Sequence, residues 1–162
     1  MPQDKEPLES RLKYRLPKIR LCLVNERHPY DMYVVRTPMD AAFLLDPLRH
    51  RAEEHFVSLH LNAKHEVIGL HEVSHGTLNS SLVHPREVFK AALLANTHAI
   101  IVCHNHPSGS SLSATQEDVD VTQQLLGAGK VIGIPVLDHL IVGPVNEVFS
   151  IREHHPLIWG DA

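Results

Sequence analysis

Two histidines separated by one residue, His104 and His106, directly follow the apolar run Ala99–Cys103. Five consecutive apolar residues predict a buried strand, and Pro107 predicts its end. Because residues i and i+2 of a strand point to the same face, about 6.5–7 Å apart at Cα, both imidazoles can reach one ion. Cys103 then points to the opposite face, and we expect it to be a thiol of the core.

A helix is predicted to begin shortly after this strand, in the segment Ser113–Asp118. A carboxylate in its first turn could return to the two histidines. Two imidazole nitrogens, one carboxylate oxygen and an open fourth position are the ligand set of a catalytic zinc site. Two alternatives remain open. The chain has 14 histidines, most of which bind no metal, so His104 and His106 could be ordinary hydrogen-bonded residues. Thr115-x-x-Asp118 is also a capping-box pattern, in which the carboxylate binds only a backbone N–H.

Three longer stretches together resemble the RadC family of the JAB/MPN superfamily. They are residues 104–109 (HNHPSG) with Thr115-x-x-Asp118, residues 138–143 (DHLIVG), and residues 76–87 (GTLNSSLVHPRE). The superfamily's metalloprotease motif is an upstream Glu, then His-x-His-Pro, then Ser-x-x-Asp. The resemblance implies Zn²⁺ held by His104, His106 and Asp118, and it makes Glu72 the candidate upstream Glu.

The resemblance runs from about residue 38 to the end, and it divides the chain into an N-terminal arm with strands that pack on the domain (1–37) and a RadC-like domain (38–162). It implies an α/β fold with a mixed, curved β-sheet flanked by helices, in the cytidine-deaminase-like architecture of JAB/MPN proteins. Full-length members usually carry a helical DNA-binding-like module before this domain, and we expect no counterpart of it in residues 1–37.

The mechanism expected from this site is hydrolysis of a peptide or isopeptide bond in a peptide or protein substrate. Zinc would activate a water, Glu72 would act as the general base, and a hydroxyl of Thr115 or Ser108 would donate a hydrogen bond to the oxyanion. Two alternatives are a DNA-repair or mobile-element accessory protein, and an inactive MPN-type scaffold that binds partners.

The register of the third ligand departs from the family pattern. Ten residues usually separate the second His from the Asp, whereas eleven lie between His106 and Asp118, so that counting selects Glu117. Keeping the Thr115-x-x-Asp118 frame places the extra residue in the loop 110–113. Loops absorb insertions, whereas a one-residue shift rotates every helical side chain by about 100°. We therefore predict Asp118 as the ligand and Glu117 as an exposed first-turn residue.

Composition and charge agree with one globular domain of 162 residues. The formal charge of −4 does not support a dominant role in binding a nucleic-acid backbone, although DNA contact by a local patch remains possible. We expect a cytoplasmic protein, because no segment resembles a membrane span or an export signal. Cys22 and Cys103 lie in apolar runs and are predicted to be reduced, buried thiols.

Periodicity and turn residues predict the remaining elements. His139 is predicted to be a hydrogen-bonded core histidine partnered by Asp138. The predicted helices are one beginning at Pro38, one from 85 to about 97, and one from 113 to 126 ended by Gly127 and Gly129. The predicted strands are 19–25, 32–35, 54–61, 67–73, 99–103, 131–135, 138–143 and 147–151.

Overall fold

The computed structural model describes residues 33–76, 83–107 and 112–160. The predicted strand at 19–25 and most of the N-terminal arm lie outside these residues, as does Cys22. Of the predicted strand at 32–35, Val34 forms an isolated antiparallel bridge with Glu66. Within the described part of the chain, no helix is both long enough and apolar enough to cross a bilayer.

The described residues form four α-helices, two 3₁₀ turns and five strands. The helices are α1 (Pro38–Leu44), α2 (Pro85–Leu94), α3 (Gln116–Ile132) and α4 (Ile151–His154), with 3₁₀ turns at Asp46–His50 and Pro156–Trp159. The strands are β1 (Glu54–Leu61), β2 (Val67–Gly76), β3 (Ala99–Asn105), β4 (Val136–Val142) and β5 (Val148–Ser150).

The five strands form one mixed sheet in the order β2-β1-β3-β4-β5. The β1–β2, β1–β3 and β4–β5 pairs are antiparallel, whereas β3 and β4 are parallel and are joined across the sheet by α3. Helices flank the sheet, so the predicted fold class of a mixed α/β protein is confirmed. Parallel strands need such a crossover. Here it leaves β3 at Asn105, and α3 begins at Gln116.

Alternation along the strands divides the core between the two faces of the sheet. On β3, Ile101 and Cys103 pack with α1, whereas Ile100 and Val102 pack with α2 and α3. Cys103 is a fully buried free thiol, as predicted. The same alternation places His104 on the α2/α3 face of the sheet.

Helix α3 continues through both glycines that were predicted to end it and stops at Ile132, before Gly133 in the left-handed conformation (φ 82°). The predicted strand at 131–135 is therefore wrong, because its first two residues end the helix and β4 begins only at Val136. Gly129 is buried within the helix, and a Cβ there would lie 2.6 Å from the Ile134 carbonyl oxygen and 3.2 Å from Phe89 Cζ. This glycine permits close packing of the helix and does not terminate it.

Candidate metal centre

His104 and His106 lie side by side at the carboxyl end of β3. His104 is the penultimate residue of the strand and is 1% exposed, and His106 follows the strand directly, with its side chain 16% exposed. Their Nε2 atoms are 3.0 Å apart. The structure therefore confirms the prediction that both imidazoles lie on one face of the strand.

Asp118 reaches these two nitrogens from the first turn of α3. Its Oδ1 lies 3.2 Å from Nε2 of His104, and its Oδ2 lies 3.7 Å from Nε2 of His106. The same carboxylate completes a capping box, because Oδ2 accepts hydrogen bonds from the Thr115 backbone N–H and hydroxyl, both at 2.8 Å. The cap and the cluster are therefore compatible, and the cap fixes the carboxylate in place.

Asp118, and not Glu117, joins the histidines. Thr115 is the N-cap of α3, which makes Asp118 its third residue and reproduces the predicted helix frame. Glu117 is exposed and lies along the rim of the same cleft.

The electrostatics of the cluster favour unprotonated donor atoms. Burial would raise the pKa of Asp118, but the neighbouring His104 imidazole and the hydrogen bonds from Thr115 together hold it well below its usual range. Burial and the neighbouring His104 lower the pKa of His106. Since a metal ion binds deprotonated ligands, these shifts suit a metal site at neutral pH.

The donor set also fits zinc in size. One nitrogen of each histidine and one oxygen of Asp118 lie within 4.8 Å of one another, and no other three His, Cys, Asp or Glu side chains among the described residues converge in this way. The closest separations are 3.0, 3.2 and 3.7 Å. Ligands at about 2.0–2.1 Å from a tetrahedral zinc are about 3.3 Å apart, so the three atoms need little movement to receive the ion.

Behind the cluster lies a buried histidine whose role the sequence did not reveal. His139 is 1% exposed, and its Nε2 lies 2.8 Å from Nδ1 of His104. Its Nδ1 contacts the Thr122 hydroxyl at 2.6 Å. The predicted partner, Asp138, does not reach the ring, because successive strand residues point to opposite faces; its carboxylate accepts from the Ser150 hydroxyl and from backbone N–H groups.

Glu54 is the carboxylate that the strand register places beside the histidines. In the antiparallel β1–β3 pair, Phe56 lies opposite His104. Two residues further along each strand, the same register brings Glu54 of β1 beside His106. The negative charge of Glu54 partly offsets the lowering of the His106 pKa by burial. The cleft that contains the cluster is lined by Glu54, Phe56, Val83, His104, His106, Thr115, Glu117, Asp118, Val121 and His139.

Glu72, predicted as the general base, is not part of this cleft. It lies on β2 opposite Val57, whose side chain packs in the core on the α1 face of the sheet. Its Oε1 contacts Nδ1 of His55 at 2.7 Å and Nδ1 of His75 at 3.5 Å. The register shift between Phe56 and Val57 and the pleat of the sheet direct Glu72 away from His104, which contradicts its predicted role.

The two predicted oxyanion donors have different outcomes. Thr115 lines the cleft, but its hydroxyl hydrogen is donated to Asp118, so this hydroxyl holds the Asp118 carboxylate and has no hydrogen left to donate to a substrate. Ser108 lies outside the described residues, and its predicted role stays a prediction. No local pattern distinguishes Glu54 in the sequence, because its position beside the histidines depends on how β1 pairs with β3.

Comparison with known proteins identifies the family. Residues 35–156 match the family model described as a RadC-like JAB domain. The chain is 51% identical over 125 residues to a UPF0758 protein of Moorella thermoacetica, and 49% identical over 124 residues to one of Bacillus pumilus. Each alignment covers 76% of this chain and 54% of the relative, so the chain spans about half the length of these relatives. With three quarters of its length matched by the model and by these relatives, the chain belongs to the family of proteins with a RadC-like JAB domain.

Proposed function

We propose that this chain is a zinc-dependent hydrolase of the JAMM type that cleaves a peptide or isopeptide bond. The observation that carries the proposal is the convergence of His104, His106 and Asp118, with separations of 3.0–3.7 Å in a cleft. Three such ligands with an open side are typical of catalytic zinc sites, whereas structural zinc sites are closed by a fourth protein ligand.

When bound there, zinc would supply a hydroxide nucleophile at neutral pH and a Lewis acid for the scissile carbonyl. Glu54 would accept the proton of the attacking water and deliver it to the leaving amine, because it is the carboxylate beside His106 at the start of β1. Asp118 and the two histidines would hold the metal. Thr115 would keep the Asp118 carboxylate oriented through its two hydrogen bonds.

We propose a peptide or protein as the substrate. The formal charge of −4 gives no support for binding that is dominated by a phosphate backbone. An amide substrate instead matches what one metal ion and one general base can hydrolyse.

Elemental analysis of protein purified without a chelator or a histidine tag tests the metal centre. We expect about one zinc per chain, and loss of it in the double variant His104→Ala, His106→Ala. The matched control is His55→Ala, His75→Ala, which removes two histidines from the neighbouring strands β1 and β2. Full zinc content in the first double variant would overturn the assignment.

A pair of carboxylate variants tests the chemistry. Glu54→Gln should retain zinc and lose about 10²–10⁴-fold in hydrolysis, because the amide cannot accept a proton. Glu72→Gln should retain both zinc and activity. The probes are a library of fluorescence-quenched peptides and one of branched peptides with an isopeptide-linked lysine.

If zinc-loaded protein cleaves neither library, the hydrolase proposal is contradicted while the metal centre stands. If Glu72→Gln loses activity and Glu54→Gln keeps it, the base is assigned to the wrong carboxylate.

A further inference from the structure

A chain of buried hydrogen bonds connects His104 to the helix that carries Asp118. Nδ1 of His104 contacts Nε2 of His139 at 2.8 Å, and Nδ1 of His139 contacts the Thr122 hydroxyl at 2.6 Å. The Thr122 hydroxyl in turn donates to the Asp118 backbone carbonyl at 2.6 Å. His104, His139 and Thr122 are each at most 1% exposed, so water does not compete for these contacts.

The direction of every proton in this chain follows from its last member. A carbonyl can only accept, so the single hydroxyl hydrogen of Thr122 is used on Asp118. The Thr122 oxygen must then accept from an Nδ1–H of His139. The two hydrogen-bond partners of the His139 ring are a hydroxyl and an imidazole, and neither is an anion that could compensate a buried positive charge. The ring is therefore neutral, and its Nε2 is an acceptor.

An acceptor at Nε2 of His139 requires a proton on Nδ1 of His104. In the neutral His104 ring, Nε2 then carries the lone pair, and this is the atom that faces His106 and Asp118. Without the buried chain the opposite tautomer would be favoured, because an Nε2–H of His104 could donate to Asp118 Oδ1 at 3.2 Å. That tautomer would present a hydrogen where a metal ion must bind.

We propose that Thr122 and His139 are positioning residues that hold the proton on Nδ1 of His104 and so present Nε2 to the metal ion. This inference rests on the metal centre of the proposed function. Phe56 packs against both rings. Its ring stacks on His104 with 6.0 Å between ring centroids and 9° between ring planes, and it meets His139 edge-on with 5.4 Å between centroids and 70° between planes. Partners of this kind fix the tautomer and orientation of metal-binding histidines.

Nitrogen-15 NMR of the histidine rings reads the tautomers directly. In metal-free protein at pH 8, we expect both His104 and His139 to carry the proton on Nδ1. Thr122→Val removes the acceptor without a large change in volume, so we expect both rings to change to the Nε2–H form. Thr122→Ser restores the hydroxyl and should restore the wild-type spectrum.

Zinc affinity, measured by competition with a chromogenic chelator, supplies a second readout. We expect Thr122→Val to bind zinc about 10–100-fold more weakly than the wild type, and Thr122→Ser to bind it normally. The matched control is Thr97→Val, since Thr97 is also buried but its hydroxyl has no hydrogen-bond partner among the described residues. That variant should change neither the tautomers nor the affinity.

An Nε2–H tautomer of His104 in the wild type would overturn the proposal, whether or not the valine variant folds. Unchanged tautomers and zinc affinity in folded Thr122→Val would overturn it as well. Wild-type protein with the expected tautomers that binds no zinc would instead refute the proposed function, because the proton assignment is measured without metal.

Discussion

The two glycines within α3 provide a sharp test of the packing on the α2/α3 face of the sheet. Gly127 and Gly129 both lie in the same helix, but a Cβ at Gly127 would meet no atom within 4 Å. A Cβ at Gly129 would lie 2.6 Å from the carbonyl oxygen of Ile134, which is a backbone atom, and 3.2 Å from Phe89 Cζ. Contacts below 3.0 Å force a shift of the chain or its neighbour.

The expected free-energy changes therefore have opposite signs. Alanine is favoured over glycine in a helix interior by about 0.8–1 kcal/mol, so Gly127→Ala should raise the free energy of unfolding by about that amount. Gly129→Ala gains the same helical preference but must move the turn after α3, and overpacking of this kind costs about 1–3 kcal/mol. We expect a net loss of up to about 2 kcal/mol for Gly129→Ala.

Urea denaturation followed by circular dichroism measures both changes against the wild type. The difference between the two variants, about 1–3 kcal/mol, is the most robust quantity because their helical preferences cancel. If Gly129→Ala is as stable as Gly127→Ala, the close approach of α3 to Ile134 and Phe89 is refuted.

Three further predictions concern buried polar groups. Burial lowers the pKa of His60 to about 4, so the unfolded chain binds more protons between pH 6.5 and 4, and stability falls as the pH falls through this window. His60→Gln should reduce the loss between pH 7.5 and 4.5 by about 2–3 kcal/mol in metal-free protein; an unchanged pH dependence contradicts this. Burial raises the pKa of the Cys103 thiol to about 12, so a thiol reagent at pH 8 should label Cys103 only in denaturant; labelling of Cys103 in the native protein, located by peptide mapping, refutes it. Arg49 donates to the carbonyl oxygens of Gly143, Val145 and Glu147, so Arg49→Met should lower the free energy of unfolding by about 2–4 kcal/mol, and a loss below 1 kcal/mol in urea denaturation would show that these contacts add little.

Local sequence was sufficient to predict the features that are set by residues close together in the chain. The apolar run before His104 predicts a buried strand, and alternation places His104 and His106 on one face. The Thr115-x-x-Asp118 pattern predicts the capping box, which in turn selects Asp118 over Glu117. These features depend on neighbours within four residues, whose spacing is visible in the chain.

Tertiary structure alone decided which carboxylate lies beside the candidate metal ligands. Glu54 and Glu72 are both strand residues, and nothing in their local patterns separates them. The antiparallel register of β1 with β3 brings Glu54 to the His106 end, whereas the register shift in β2 turns Glu72 toward the α1 face. A register is set by the pairing of distant segments and by core packing, so it cannot be counted along one chain.

The contacts of His139 with His104 and Thr122 also depend on the pairing of distant segments. His139 and Thr122 are 17 residues apart, and His139 and His104 are 35 apart, so only the parallel pairing of β3 with β4 and the crossover through α3 brings them together. From the sequence alone, Gly129 resembles a helix terminator. In the structure it lies inside α3, where the Ile134 carbonyl oxygen approaches too closely for a Cβ. The sequence by itself determined the types of the candidate ligands and their spacing along β3 and α3. The tertiary structure determined which residues contact them, because those contacts join segments that are distant in the chain.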